Sequence, residues 1–379
     1  MEIFDIAIIG AGPAGAACAL GLRGSMLRVA LIDKANFPRD KVCGDAIPAR
    51  AMRVLRELAP EAAVRLNDLP MKEEMLACTV VSPGGKRFTY EFAVRGYCMR
   101  RMDFDAFLVD EAAKVPEVEL MQGMAVKGLV REDGIWRIEA DKGEIQARMV
   151  IGCDGANGIT SKLLGGFALD PRHHCAAVRQ YYDGVADLDP QVMEIHLLQD
   201  RLPGYLWIFP VGGGACNVGF GMLSADIAKR KLSLRSELGD IVAGSAGLRE
   251  RFAGARALDK VQGFGLPLGS RWVTMSGEGF LLCGDAASLI DPATGEGIGN
   301  AMWSGQIAAR CAWGASMRRE YSAASLIGYS EELKAKLYPE MRRKYWVQRL
   351  AAGRPWLLDF LIGRASRGGI VGRLARKWF

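Results

Sequence analysis

Histidine is nearly absent from this 379-residue chain: there are three, His173, His174 and His196. Their spacing builds no metal site, and a structural or surface role is expected of each. Nine cysteines are present, but the number is odd, they are scattered, and no two stand as CxxC. That excludes a disulfide framework and a zinc ribbon and fits a reducing cytosol. No GxSxG elbow occurs, so hydrolase chemistry is unsupported. A signal-peptide pattern is also missing, since Glu2 and Asp5 stand where basic residues would. The uncharged run from Ile6 to Leu22 is 17 residues, short for a bilayer span, and its glycines and proline suit a strand–turn–helix. The expected location is the cytoplasm, with no segment crossing a membrane. Internal repeats and low-complexity linkers are absent as well.

What is present is a core-forming composition: half of the residues are apolar and 24% are charged. Disorder is excluded, and the length suits one large unit or two interlocked domains. Glycine is in excess, 46 residues, or about 12% against a usual ~7%. Such an excess points to tight turns and close backbone approaches, as in a nucleotide-binding α/β protein. Charge is uneven. Residues 342–379 hold ten basic residues against Asp359, a net of +9, so with a total of +6 the rest of the chain nets −3. Trp346, Trp356, Phe360, Trp378 and Phe379 lie in this basic stretch. It reads either as a helical cap with solvated arginines and inward aromatics or as a peripheral contact with an anionic membrane. No nucleic-acid motif accompanies it, and no nucleic acid is expected as a partner.

Along the chain, residues 3–9 read as a buried strand, Pro13 to Leu22 as a small-residue helix, and Arg28 to Ile32 as a second strand. Residues 79–92 read as a hairpin around Pro83-Gly84-Gly85-Lys86. Asp103 is the expected cap of a helix with an apolar stripe of Phe104, Phe107, Leu108 and Ala112. Residues 124–151 hold three strand-like runs, 192–222 are strand-rich, and helical spacing runs from Ile298 to the end.

The sharpest motif is Gly10-Ala11-Gly12-Pro13-Ala14-Gly15, directly after the first strand. Gly10 permits the turn, Gly12 lets backbone approach a pyrophosphate, and Gly15 allows close helix packing. The helix start offers free amides to phosphates. Asp33 ends the second strand, 18 residues after Gly15, where a carboxylate accepts from ribose hydroxyls. Two later strands run into Cys153-Asp154-Gly155 and Gly284-Asp285. In Asp291 to Ala301, a proline–glycine turn opens a helix at about Ile298, whose starting amides can face an anionic ring edge.

Together these three stretches resemble the fingerprints of the flavoprotein group that includes p-hydroxybenzoate hydroxylase. The resemblance implies FAD, with Asp285 on its ribityl–pyrophosphate part and Lys34 and Asp154 among its contacts. It further implies amides of Gly297 and Ile298 at the flavin, Arg101 nearby, and Val126 on the adenine side. Gly158 departs from the serine usual after the Asp-Gly motif. The segment Lys41-Val42-Cys43-Gly44-Asp45-Ala46-Ile47-Pro48 resembles the KxCGGAIP stretch of geranylgeranyl reductases, with Asp45 in place of the second glycine. Pro203-Gly204-Tyr205-Leu206-Trp207-Ile208-Phe209-Pro210 is similar to that family's PxxYxWxFP. The resemblance spans roughly residues 1–310.

The implied fold is α/β: a discontinuous Rossmann-like FAD-binding domain (1–70, 100–165, 271–325), a mainly antiparallel substrate domain (71–99, 166–270) and a basic helical region (326–379). Cys43, Gly44 and Ala46 would border the flavin. Tyr205 and Trp207, with Phe209, would face a flat apolar cavity, unless that alternation is merely core. The implied activity is reduction of carbon–carbon double bonds in an isoprenoid-like lipid, with the proton from Cys43, Tyr205 or water. One strand–GxGxxG–helix unit is present, so the electron donor is expected to be transient NADPH or a reduced carrier such as ferredoxin or a quinol. An aromatic monooxygenase or a halogenase on the same fold is the alternative, although a halogenase would carry WxWxIP. A flavin-bound sensor without catalysis is a third reading.

Overall fold

A computed structural model describes residues 3–367 as two sheets that share one cavity. In the first sheet, Ile3–Ile9 lies between Val29–Ile32 and Gly143–Gly152, all parallel, with Val118–Met121 and Phe280–Leu282 outside them. Ile6, Ala7 and Ile8 are fully buried, as a central parallel strand covered on both faces requires. Val126–Glu132 and Ile135–Ala140 add an antiparallel meander. In the second sheet, His174–Asp183, Ala215–Leu223, Tyr205–Gly212 and Val192–Leu197 run antiparallel in that order. Val192–Leu197 then pairs in parallel with Glu73–Val81, whose hairpin partner is Arg87–Cys98. Ala46–Ile47 joins the edge of this sheet.

The helix Arg101–Ala113 corrects one expectation. It begins two residues before Asp103, which sits in its first turn, and no side chain of its own caps it. The Arg101 amide instead reaches Asp45 Oδ1 at 3.3 Å, so a distant carboxylate takes the cap's place. Beyond Ile298–Arg318 come the helices Ala323–Ala352 and Pro355–Ala365. Ile362 and Ala365 of the latter pack on Val80, Phe88 and Tyr90, and Asp359 accepts the Gly84 amide at 2.6 Å. Trp346, Trp356 and Phe360 are exposed (55%, 66% and 56%), contrary to a cap with all its aromatics inward. Trp378 and Phe379 lie outside the described residues.

The helix Pro13–Gly21 is almost wholly buried and packs on Ile298–Arg318. A Cβ at Gly305 would lie 2.2 Å from Ala14 O, so the two backbones touch. Gly305→Ala is expected to destabilise the protein by roughly 1–3 kcal/mol through overpacking, although alanine favours a helix interior by about 1 kcal/mol. Gly314→Ala on the same helix, where a Cβ would meet Arg318 Nη1 at 3.4 Å, should be neutral or stabilising. Denaturant melts of the pair check the reversal of sign.

Candidate active site

At Gly10 the chain turns with φ +102°, and a Cβ there would lie 2.3 Å from Cys153 O. Gly15 is packed as tightly, its Cβ position 1.9 Å from Gly10 O. Gly12 differs. It lines the cavity, and the nearest neighbour of a Cβ would be Arg39 Nη2 at 3.6 Å, so the space a side chain would fill belongs to the cavity. This open cradle beside a helix start fits a dinucleotide's pyrophosphate. Asp33 is held beside it, Oδ2 accepting from Ala11 N and Oδ1 from Ala35 N, both at 2.8 Å.

The cavity holds about 720 Å³. Gly10, Gly12, Pro13, Ala14, Asp33, Lys34, Cys43, Gly44, Ala46, Arg101, Asp154, Tyr205, Trp207, Asp285, Gly297 and Ile298 all line it. Gly15 and Val126 do not. Gly15 packs behind the turn, and Val126 begins a strand of the meander, close to where Met124 N donates to Asp33 O at 2.9 Å. Asp154 turns its carboxylate onto Thr160, accepting from that residue's amide and hydroxyl. A Cβ at Gly158 would lie 2.1 Å from this carboxylate, which accounts for glycine there.

Charge is arranged in buried pairs. Arg101 grips Asp105 through two hydrogen bonds of 2.7 Å. Burial opposes the Arg101 charge, yet Asp105 and the Cys43 sulfur beside it carry its pKa upward overall. Burial pushes the Asp285 carboxyl up, with Lys41 and Arg101 pulling the other way. Lys41, which sequence reasoning passed over as part of a motif, sets its ammonium 3.3 Å from the Phe264 ring centre. Burial lowers its pKa to about 8, against the opposing pull of Asp285. At neutral pH it is therefore a readier proton donor than an ordinary lysine.

The roof is the strand Tyr205–Gly212. Its three aromatic residues all line the cavity, with ring centres 6.1 and 6.3 Å apart in sequence. Across the ladder Tyr205 faces Gly221, Trp207 faces Gly219 and Phe209 faces Asn217. A Cβ at Gly219 would lie 2.1 Å from the indole, so glycine makes its room. From below, the Gly44 backbone approaches so closely that a Cβ there would sit 3.3 Å from the Phe209 ring and 3.5 Å from Trp207 Nε1. Tyr205 Oη donates to Thr294 O and so ties the roof to the loop before Gly297. Trp207 Nε1 donates to Asn217 Oδ1 at 2.8 Å, while Asn217 Nδ2 donates to Cys43 O at 2.7 Å and to Asp45 at 2.8 Å. Asn217 was missed in the sequence. Its signal was the alternation Asn217-x-Gly219-x-Gly221, complementary to Tyr205-x-Trp207-x-Phe209.

A glycine-rich strand–turn–helix, a second helix start and an aromatic roof around one cavity describe a dinucleotide-binding protein with an apolar second chamber. Residues 4–192 match the FAD binding domain family, and residues 174–240 match the geranylgeranyl reductase catalytic domain. A digeranylgeranylglycerophospholipid reductase of Methanopyrus kandleri is 32% identical over 86% of this chain and 85% of its own length. A menaquinone reductase of Mycolicibacterium smegmatis is 30% identical over 80% and 75%. The chain belongs to the geranylgeranyl reductase family of FAD-dependent oxidoreductases. In fold it is similar to a geranylgeranyl bacteriochlorophyll reductase-like protein of Thermoplasma acidophilum, with TM-score 0.83 and 24% identity over 98% of this chain and 93% of that one. A flavin-dependent brominase has TM-score 0.75 and 20% identity over 99% and 98%. At such identities these likenesses concern the fold alone.

Gly12→Val should fold as the wild type does and yet lose bound FAD, because its side chain fills the cradle and not the core. Visible flavin absorbance of the purified protein and the melting temperature of the stripped protein check both halves. Asp285→Ala is expected to lower FAD occupancy in the same assay.

Proposed function

We propose that this protein reduces carbon–carbon double bonds in the prenyl chain of a lipid. The observation that carries the reading is the roof: three aromatic side chains line the same cavity as the pyrophosphate cradle, with Trp207 and Phe209 against the loop of Cys43 and Gly44. The names of the relatives, a prenylated phospholipid reductase and a menaquinone reductase, support a substrate with a long apolar chain. Bound and reduced, the flavin supplies the hydride. An isolated alkene accepts hydride poorly, so the protein has to exclude water and stabilise developing positive charge, which the faces of Trp207 and Phe209 can do. Met75, Phe92, Met193 and Ile195 extend the apolar lining. For the proton we favour Cys43, beside Arg101 on the loop under the roof. Tyr205 is a poorer acid, since its hydroxyl hydrogen is engaged by Thr294 O and burial raises its pKa.

NADPH or a reduced carrier such as ferredoxin is proposed as the transient electron donor. The proposed site of lipid entry lies at the helix Ala323–Ala352, where Lys344 and Gln348 line the cavity and Trp346 and Leu350 are exposed. Among the described residues no helix is long and apolar enough to cross a membrane. The reading is therefore of a peripheral contact, through exposed aromatics and the positive charge of residues 342–379.

Anaerobic incubation of the reduced holoenzyme with a prenylated phospholipid is expected to add two hydrogens per saturated bond, read by mass spectrometry. An oxygen-dependent product from a phenol, with the lipid unchanged, would favour the monooxygenase instead. Trp207→Ala should retain FAD and change which bonds are reduced, through loss of roughly 1–3 kcal/mol of apolar contact. A fall in stability of roughly 3–5 kcal/mol with an unchanged product profile would mark the indole as core.

Flotation with anionic liposomes is expected to recover the protein, and neutral liposomes or deletion of 342–379 to lose it. Binding indifferent to both changes would remove this segment as the anchor.

A further inference from the structure

Asp45 carries two burdens at once. Its backbone has φ +67°, a conformation that glycine adopts freely and few other residues do, and its side chain is fully buried. A buried carboxylate on left-handed backbone persists where its surroundings over-determine it. Here three donors converge on it: Tyr181 Oη at 2.6 Å and Asn217 Nδ2 at 2.8 Å on Oδ2, and the Arg101 amide at 3.3 Å on Oδ1. Asn217 is the shared member, because the same amide holds both the Cys43 carbonyl and the Trp207 indole. Tyr181 is fixed in turn, its ring lying under the guanidinium groups of Arg100 and Arg179 at 4.7 and 4.1 Å.

We propose that Asp45 is a positioning residue for the reduction: through Asn217 it fixes the Trp207 indole against the Cys43–Gly44 loop and so sets how the substrate chain lies in the cavity. The proposal rests on the prenyl-reductase reading and adds a residue that does not itself line the cavity. Its charge state is part of the device. As a carboxylate Asp45 accepts from all three neighbours; once protonated it donates to Tyr181, whose hydroxyl can turn to accept, and the bond from Asn217 Nδ2 loses the acceptor's charge and weakens. Around it stand Tyr181 and Arg179 from His174–Asp183, Asn217 from Ala215–Leu223, Arg101 from its helix, Cys98 from Arg87–Cys98, and Cys43 on its own loop. Burial raises its pKa to about 6, with Tyr181, Asn217, Arg101 and Arg179 opposing. The acid is thus ionised and the network complete above about pH 6, and the Asn217 anchor loosens below it.

The test uses FAD-loaded protein with Asp45→Asn, Asp45→Gly and Asn217→Ala. Asparagine tolerates the backbone turn and glycine relieves it, so at least one Asp45 variant should keep its fold, as FAD occupancy and melting temperature report. In the wild type, the indole N–H resonance of Trp207, assigned with Trp207→Phe, should titrate with a midpoint near pH 6. That titration should vanish in both Asp45 variants. Prenyl-lipid reduction should fall by about 10-fold or more in kcat, or shift among double bonds, with FAD retained. Asp45→Gly combined with Asn217→Ala should be little worse than either alone. An indole that does not titrate in the wild type, or that titrates unchanged in Asp45→Asn, overturns the proposal, as does an unaltered kcat and product pattern in a folded variant. A wild type that binds FAD but reduces no prenyl lipid overturns the functional reading separately, and the indole titration still decides whether Asp45 holds Trp207.

Discussion

Two helices begin at one cavity because their backbones touch. Ala14 O and the bare Cα of Gly305 leave no room for a methyl group between the first helix and Ile298–Arg318. A larger residue there would drive the two helix starts apart, and each brings free amides and a positive dipole end to the cavity wall. The glycine turn, the Asp33 carboxylate and the Gly297–Ile298 edge can serve one bound dinucleotide only while that spacing holds. The second sheet is then placed over the cleft by the loop 41–47, whose last two residues pair with its edge.

Apolar chemistry comes from that second sheet by a division of labour between neighbouring strands. One strand supplies Tyr205, Trp207 and Phe209; its partner supplies glycine opposite the first two and a hydrogen-bonding amide opposite the third. Steric room and orientation are thereby separated. Gly219 lets the indole lie flat, and Asn217 fixes its N–H edge. A bulkier pairing would stand the ring up and fill the cavity with protein.

Local signals were legible in the sequence, and long-range pairings were not. The phosphate turn, the Gly-Asp of Asp285 and the helix start at Ile298 each reside in a short stretch whose residue types are dictated by backbone geometry. The partnership of Asp45 with Tyr181 and Asn217 joins residues 136 and 172 positions apart, and nothing local to any of them announces it. Asp103 misled for the same reason: a nearby acid looked like the cap, while the helix amide takes Asp45, 56 residues earlier in the chain. Even so, the one departure from the resembling family's loop, aspartate for glycine, marked the position where the network converges. Gly158 is the converse case, for the second departure is explained by where Asp154 turns its carboxylate.

The long helix gives the proposed chemistry its last constraint. A prenyl chain that enters from a bilayer exchanges one apolar environment for another, so burial of its methylenes, worth about 0.8 kcal/mol each against water, contributes little to binding. On the proposed reading, discrimination has to come from shape under the aromatic roof and from polar groups at the entrance. Lys344 is suited to that place, since Asp291 at 2.8 Å and Glu340 at 2.9 Å already hold it at the cavity wall. Burial works against its charge, but Asp291 and Glu340 raise its pKa overall, so the ammonium stays charged where an apolar chain would pass. On the proposed reading, the ion-paired rim of Lys344, Asp291 and Glu340 keeps the lipid's polar head at the entrance and leaves the roof to choose among double bonds.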